Sequence, residues 1–412
     1  MSESEQETMT LYISENDQVA SKPIALDDLI LTTGLPTTGG SKMLEGYQSL
    51  FEAEVVTRLK AARYSIAGKA NTGEFGIDLL DETSAFGACV TNEGTLTTAI
   101  TELVREGAVE AALRLDVNGS ARRAAACGNL VNIKPTYGIA SRFGTIAIAC
   151  SGEAISVTAA TAGACREVLE TIAGHDDKDG TSLPQTSCDR ALSPATHAPI
   201  KRVAISRALT AAASSETQQA LEDFAAKLRA QGIDVVDVES ADDNVLATAY
   251  VAWNILMSAE LCNNVSRFDG VKYGHRTRDY ETIGELYTNS RTEGFGDLTK
   301  TLILFGSQTL STEEYDLAYD KALRVRRLVC EATSRIFETC DAILVPACSK
   351  QAFRTEDVEA DQYLSLKENR FTAPANISGL PVVVTDGMQL IGPAFSDAAL
   401  LALAETLEKE AF

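Results

Sequence analysis

The chain has 412 residues, of which 45% are hydrophobic and 23% are charged, a composition typical of globular enzymes. Its 58 acidic residues outnumber 36 basic ones, so the formal net charge is -22. This balance excludes a broad surface for nucleic-acid phosphates, because such a surface needs clustered lysine and arginine. The acidic, polar N-terminus predicts a flexible tail over residues 1–23, and residues 24–412 are predicted to form one domain.

Metal and cofactor chemistry have little support in the sequence. The three histidines lack metal-ligand spacing, and the nine cysteines include no C-x-x-C pair. Free thiols in a reducing compartment are therefore predicted, with no metal or cofactor in this chain. The N-terminus lacks the basic start and apolar core of a signal peptide, and we see no apolar run of bilayer length. A cytoplasmic protein without membrane contact is expected.

Strand-like and helix-like runs alternate through the first half. In chain order they are a helix "EAEVVTRLKAA", a strand "YSIAGK" ending at Lys69, a helix "AITELVREG" and a strand "VEAALRLDV" leading to Ser120. The small-residue run "AISVTAATAGACREVLETIAG" is predicted to be one long helix.

The second half continues the alternation. A strand–helix–strand unit is predicted over "KRVAISR", "ETQQALEDFAAKLRAQG" and "IDVVDV", and long helices over 243–265 and 313–338. Late strands "DAILVP", "LPVVVT" and "MQLIG" precede a closing helix "DAALLALAETLEKE". The pattern predicts an α/β fold, a mixed central sheet covered by helices on both faces, with most strands parallel.

Ser120 and Lys69 are the candidates for catalysis that the residues themselves suggest. A serine nucleophile needs a base and donors for the oxyanion, and a lysine can be that base if burial lowers its pKa. Lys69 ends an apolar strand, and Ser120 follows Gly119 after another. Structural roles remain open: Ser120 as a turn residue or helix cap, and Lys69 as an ion-pair residue.

Four motifs in order, "GKANTGEF", "SAFG", "DVNGSAR" and "KPTYG", resemble those of the amidase signature family. Further segments, among them "SRFDGVKYGHR", "SRTEGFGD", "APANISGLP" and "MQLIGPAF", are similar to the A subunits of glutamine-dependent tRNA amidotransferases. The resemblance covers most of residues 24–410 and implies the amidase signature fold.

The resemblance also implies a catalytic relay. A lysine, a bridging hydroxyl in a cis peptide and a nucleophilic serine would pass a proton and cleave an amide. Lys69, Thr95 and Ser120 fall at these three positions. The oxyanion donors would be the backbone amides of Val117, Asn118 and Gly119.

Glutamine is the substrate that the resemblance implies. Arg326 falls at the position that binds its carboxylate, and Tyr273, within "SRFDGVKYGHR", is a further candidate contact. Asn369 stands where an acid would hold the amino group, and Asp361 or Glu368 would have to compensate. The ammonia would pass to a partner for amidation of Glu-tRNA(Gln) or Asp-tRNA(Asn). The implied partners are B-type and C-type (GatB-like and GatC-like) subunits, through which alone tRNA would bind.

Several departures from the family pattern keep other functions open. The family loop GGSSGGS is "EGTLTTA" here, so β-branched residues replace glycines around a cis bond that costs about 3–4 kcal/mol. Asp27 replaces the lysine of "VKDN", Asn118 replaces a glycine, and Arg123-Ala124 replaces Gln-Pro. The chain is therefore predicted to be either a working glutaminase component of such a complex or a catalytically impaired pseudo-amidase with a structural role. A stand-alone amidase for another small amide is a third possibility that the C-terminal half disfavours.

Overall fold

An eleven-stranded mixed sheet forms the centre of the protein. The computed structural model describes residues 9–16, 19, 21–194 and 198–409. The strands of this sheet are β1 Tyr12–Glu15, β2 Pro23–Asp27, β3 Ser65–Ala70, β5 Ala111–Asp116, β6 Val131–Lys134, β7 Ala154–Ala159, β8 Arg202–Ile205, β9 Asp234–Asp237, β10 Ala342–Pro346, β12 Val382–Thr385 and β13 Met388–Ile391. Two further strands, β4 Thr95–Leu96 and β11 Phe353–Arg354, form a separate antiparallel pair.

The strand order in the sheet is β1-β3-β2-β5-β7-β6-β12-β13-β10-β8-β9. Parallel pairs join β2 to β3 and β5, and β8 to β9 and β10. The remaining neighbours among the described strands are antiparallel. A mixed sheet is thus confirmed, whereas the predicted parallel majority is wrong, because β12 and β13 form a hairpin in the middle of the sheet and β7 returns beside β5.

Helices pack on both faces of the sheet. They are α1 Glu54–Ala61, α2 Ala99–Arg105, α3 Ser120–Cys127, α4 Ala162–Ile172, α5 Gln185–Leu192, α6 Arg207–Thr210, α7 Ser215–Ala230, α8 Ser240–Asn264, α9 Ile283–Gly294, α10 Asp297–Thr309, α11 Asp320–Ile336, α12 Thr355–Ala360, α13 Leu364–Glu368, α14 Ala373–Ser378 and α15 Asp397–Glu408. Alternation along β2 shows the two layers: Ile24 and Leu26 belong to the larger apolar cluster, and Ala25 to the cluster on the opposite face.

Two predicted elements need correction. The run 154–174 is not one helix: Ala154–Ala159 forms β7, buried between β5 and β6, and α4 begins only after Thr161. The Thr161 hydroxyl accepts from the amide of Ala164, and this cap separates strand from helix. The predicted tail is also wrong in part, because Tyr12–Glu15 pairs with β3 at the sheet edge, whereas residues 1–8 lie outside the described residues.

Helix α8 is apolar, and it is therefore relevant to the prediction that the protein makes no membrane contact. The segment Ser240–Arg267 is long and apolar enough to cross a membrane by length and composition, with a mean hydropathy of 1.4. Core helices of globular proteins meet the same criterion, and α8 packs against α10, α11 and α14. Half of its most apolar window is buried inside the protein.

Candidate active site

Ser120 begins helix α3 immediately after a left-handed turn. The turn residue Gly119 has φ 97°, and a Cβ there would lie 2.3 Å from Cβ of Thr372, so glycine alone fits. Gly119 occupies the N-cap position, which makes Ser120 the first helical residue and overturns its predicted cap role. The Ser120 side chain is fully buried, and its Oγ has no hydrogen-bond partner among the described residues.

The loop that precedes Ser120 is fixed by side chains on both sides. Asn118 donates through Nδ2 to the carbonyl of Ile77 at 2.6 Å. Its own carbonyl accepts from Asn369 Nδ2 at 2.7 Å and from Thr372 Oγ1 at 2.5 Å. The amide groups of Val117, Asn118 and Gly119 make no hydrogen bond to another described backbone group. The loop is therefore a rigid backbone segment that presents N–H groups at a helix N-terminus.

Asn369 is the one predicted substrate residue that contacts this loop. It holds the loop in place together with Thr372, since its Nδ2 also donates to Thr372 Oγ1 at 3.0 Å. The two acids suggested as substitutes lie elsewhere. Glu368 accepts from the amide of Ser349 at 2.8 Å, and Asp361 pairs with Lys367 at 2.5 Å.

Lys69 is buried at the end of β3 and forms an ion pair, the structural role that the sequence left open for it, with a partner that the sequence did not identify. Its Nζ lies 3.0 Å from Oδ1 of Asp28 and donates to Thr37 Oγ1 at 2.9 Å. The other oxygen of Asp28 accepts from the amide and the hydroxyl of Thr38. A carboxylate and two further oxygen acceptors from its own chain therefore surround the fully buried amino group of Lys69.

Thr95 is not placed as a bridge between Lys69 and Ser120. It lies in β4 opposite Arg354, and its amide and carbonyl bond to Thr91. Its peptide bonds, like the others in the described ranges, are trans. Thr95 lines a cavity of about 100 Å³ together with Arg123 and Cys127, farther along α3 than Ser120. The hydroxyl that does contact Lys69 belongs to Thr37.

Arg326 and Tyr273 are also separate from Ser120. Arg326 donates from Nη2 to the carbonyl of Ser151 at 2.9 Å, which ties α11 to the loop before β7. Tyr273 is partly exposed and packs with its ring centroid 5.5 Å from that of Tyr47. Neither side chain forms a hydrogen bond to the Ser120 loop in the part of the chain that the structure describes. Their substrate-binding roles stay predictions.

A buried charge cluster surrounds Asp27, the residue at the lysine position of "VKDN". Arg114 on the neighbouring strand β5 binds both oxygens of Asp81, and its Nε lies 3.9 Å from Asp27. The amide of Leu115 donates to Asp27 at 3.1 Å. Burial raises the pKa of Asp27 to about 6, against the opposing charge of Arg114. The family pattern has a lysine at this position, whereas this chain has an acid that lies beside the buried Arg114.

Sequence reasoning missed this cluster, although one signal was present. Arg114 is the single charge within the apolar strand "AALRL", and a charge at a buried strand position requires a partner. That partner, Asp81, lies 33 residues away, too far for periodicity to identify.

A second buried lysine, Lys134 in "KPTYG", lies in a network that the sequence did not predict. Burial lowers its pKa to about 8, although the charge of Asp116 opposes the shift. Its Nζ donates to the carbonyl of Leu380 at 2.9 Å. Asp116, at the end of β5, is held by Arg122 at 2.8 Å, whose charge and hydrogen bonds outweigh burial and keep the Asp116 pKa low. This second buried network anchors α3 to β5.

The chain is similar to proteins of one family over nearly its whole length. The Amidase family model matches residues 14–93 and 103–401. The A subunit of glutamyl-tRNA(Gln) amidotransferase from Maridesulfovibrio salexigens is 35% identical over 409 residues, covering 94% of this chain and 83% of that protein. The protein of the same name from Latilactobacillus sakei is 34% identical, covering 94% of this chain and 82% of that protein.

Solved structures agree with the sequence matches. The crystal structure of the glutamyl-tRNA(Gln) amidotransferase A subunit from Thermotoga maritima has a TM-score of 0.78 and 27% identity, covering 97% of this chain and 87% of that one. A 6-aminohexanoate cyclic dimer hydrolase shares the fold, with a TM-score of 0.76 and 20% identity over 94% of this chain and 84% of that one. The mixed sheet, the turn before Ser120 and these matches together show that this chain belongs to the amidase family, as its motifs implied.

Proposed function

We propose that this chain is an A-type subunit of a tRNA-dependent amidotransferase that keeps the amidase fold and the partner-binding role but has lost the lysine–hydroxyl–serine relay. Its similarity to glutamyl-tRNA(Gln) amidotransferase A subunits over 94% of its length supports the assignment to such a complex. B-type and C-type subunits are the proposed partners, and the proposed location is the cytoplasm.

The ion pair between Lys69 and Asp28 carries the proposal that the relay is lost. Oδ1 of Asp28 lies 3.0 Å from the Lys69 Nζ, and the other described contacts of that nitrogen are the Thr37 hydroxyl and the Asp28 carbonyl, so its contacts are structural ones and none is to Ser120. The position of Thr95 also supports this proposal, since its amide and carbonyl bond to Thr91 and it pairs with Arg354 in the β4–β11 ladder. The lack of a hydrogen-bond partner for the buried Ser120 Oγ among the described residues agrees with a lost relay.

A second candidate function is a glutaminase in which Ser120 still attacks the amide of glutamine. Two observations favour it: the Ser120 Oγ makes no hydrogen bond to a described residue that would hold it in a structural role, and the amides of residues 117–119 bond to no described backbone carbonyl. Donors at the N-terminus of α3 would stabilise an oxyanion at that position. In this case the base is Lys69, as the resemblance implies, or another group near Ser120.

Ammonia release from glutamine separates the two candidates. The purified chain is assayed alone and with co-expressed B-type and C-type subunits, beside the variants Ser120→Ala and Thr95→Ala. The proposal predicts background release in all samples, together with a stable complex of the three subunits.

Robust release that falls by several orders of magnitude in Ser120→Ala would establish the glutaminase instead. A loss of about 10²–10⁴-fold in Thr95→Ala would restore the predicted relay, because that is the usual worth of a placed proton-transfer group. Failure of the subunits to associate would contradict the amidotransferase assignment itself.

A further inference from the structure

Two cysteines that the proposed function does not use lie against each other inside the protein. The Sγ atoms of Cys127, at the end of α3, and Cys348, after β10, are 3.7 Å apart. Both thiols are free. A disulfide requires about 2.05 Å between the sulfurs, so the two sulfur atoms would have to move closer by less than about 2 Å to form the bond. Such a movement would not displace β10 or α3 far.

Arg123 supplies a positive charge to this pair. It lies one helical turn before Cys127 and donates from Nη1 to the Cys127 sulfur at 3.3 Å. Arg123 is almost fully buried, and within the described ranges its remaining hydrogen bond goes to a backbone carbonyl, that of Leu79, while its Nη2 has no partner there. A buried guanidinium needs counter-charges, and Glu368 and Cys127 both act on Arg123. Of these two groups, only the Cys127 sulfur accepts a hydrogen bond from Arg123.

The surroundings assign different roles to the two sulfurs. The hydrogen bond from Cys348 and the charge of Arg123 lower the pKa of Cys127 to about 6, although burial and Glu368 oppose the shift. The pKa of Cys348 is raised well above its usual value by the neighbouring Cys127 and by burial. Cys127 is thus the nucleophile of the pair, and Cys348 is the thiol that would react with Cys127 in a second step.

A small cavity is lined in part by Cys127 but not by Cys348. Its volume is about 100 Å³, and threonine hydroxyls line it beside Arg123. This space holds a few water-sized molecules but no glutathione. Cys127 is partly exposed, whereas Cys348 is buried behind it.

We propose that Cys127 and Cys348 form a peroxide-reactive dithiol, in which hydrogen peroxide entering this cavity converts the pair to a disulfide. The Cys127 thiolate attacks one peroxide oxygen, the O–O bond breaks, and the departing hydroxide takes a proton to become water. Cys127 is then a sulfenic acid. The Cys348 thiol gives up its proton and attacks the Cys127 sulfur, the S–O bond breaks, and a second water leaves. Two thiols are oxidised by two electrons in total, and one peroxide is reduced to two waters.

The test uses the full chain, treated with one equivalent of hydrogen peroxide at pH 7 and then alkylated under denaturing conditions. We expect an intact mass lower by two hydrogens, two fewer alkylated cysteines, and a cross-linked peptide pair containing residues 127 and 348. In Cys348→Ser the reaction should stop at the Cys127 sulfenic acid, which dimedone traps. In Cys127→Ser the cross-link should disappear.

Cys150 is the matched control, because it is also partly exposed but burial raises its pKa. Since only the thiolate reacts, Cys127 should be oxidised at least about tenfold faster than Cys150 at pH 7. Equal rates at the two positions would overturn the proposal. So would a wild-type chain in which Cys127 stays alkylatable after treatment, or one in which dimedone labels Cys127 and no cross-link forms. Because the wild-type chain carries the decisive readout, a variant that fails to fold does not weaken the test.

Discussion

At the scale of single residues, Lys69 is surrounded by acceptors from its own chain. Asp28 Oδ1 lies 3.0 Å from its Nζ and Thr37 Oγ1 lies 2.9 Å away, and both lysine and aspartate are fully buried. Such a pair contributes little net stability when intact, since desolvation offsets much of the attraction. Removing one partner is costly, because it leaves the other charge buried and unpaired. The structural and catalytic roles of Lys69 therefore predict different consequences of its loss.

Lys69→Met should destabilise the protein by about 3–5 kcal/mol, because Asp28 would keep a buried charge without its partner. Urea unfolding measures the change. The double variant Lys69→Met/Asp28→Asn should recover a large part of the loss. Lys60→Met is the matched control, since Lys60 forms a surface ion pair with Glu52 and should cost at most about 1 kcal/mol. If Lys69→Met folded with unchanged stability and only ammonia release were lost, the lysine would be catalytic.

Asp27 provides a pH-dependent test of the buried cluster. Its pKa is about 6 in the folded protein and near 3.8 in an unfolded chain. Between these values the folded state holds a proton that the unfolded state has lost, so this carboxyl reduces stability as the pH rises from about 4 to 6. Asp27→Asn removes that titration. The stability of the variant relative to wild type should therefore rise by about 1–3 kcal/mol between about pH 4 and pH 6, and this difference should stay constant at higher pH.

Unfolding free energies at several pH values check the Asp27 prediction. Glu93→Gln, which removes an exposed carboxylate, corrects for the change in net charge. A difference between Asp27→Asn and wild type that stays flat with pH would mean that Arg114 keeps Asp27 ionised throughout.

At the scale of elements, the turn into α3 depends on glycine. Gly119→Ala would need a left-handed backbone and would place a methyl group 2.3 Å from Thr372 Cβ. We expect a loss of about 2–4 kcal/mol, from strain and overpacking together, and a displaced Ser120 loop. Gly163→Ala in α4 is the control, because the nearest atom to its Cβ is 4.0 Å away; it should be neutral or stabilise the protein by up to about 1 kcal/mol. Thermal unfolding of both variants measures the contrast, and equal melting temperatures would show that the turn can adapt.

The elements that the sequence predicted well have a clear periodic pattern and a clear stop. The strands β5, β10, β12 and β13 and the helix α7 lie where alternation and 3.6-residue spacing placed them. The β7–α4 run failed because alanine, threonine and glycine suit both states, and only pairing with β5 and β6 selects a strand. The site was less predictable still. The turn before Ser120 could be predicted from local sequence, but the partner of Lys69 is 41 residues away and follows the end of another strand.

At the scale of the whole molecule, acids outnumber bases and many surface cations form ion pairs with acids. The formal net charge is -22, and exposed basic side chains on the described surface are repeatedly paired with acids. On α11, Arg324 pairs with Asp320 and Arg327 with Glu331, each one helical turn away. On other helices Arg207 pairs with Glu222 and Lys227 with Asp386. Such a surface repels phosphates, so the proposed function assigns the contact with tRNA to a partner subunit.

The isolated chain should accordingly show no measurable tRNA binding at about 150 mM salt, whereas proteins with basic surfaces bind non-specifically with Kd of about 10⁻⁴–10⁻⁶ M. Fluorescence anisotropy with labelled tRNA measures this directly, and the isolated B-type subunit is run beside the assembled complex. We expect the complex to bind with the same dependence on salt as the B-type subunit, because this chain adds no phosphate contacts that would release counterions. Salt-sensitive binding by the isolated chain, or a steeper salt dependence in the complex than in the B-type subunit, would place tRNA contacts on this chain despite its charge. The measurement does not depend on catalysis, so it applies equally to a working glutaminase and to a protein that has lost its relay.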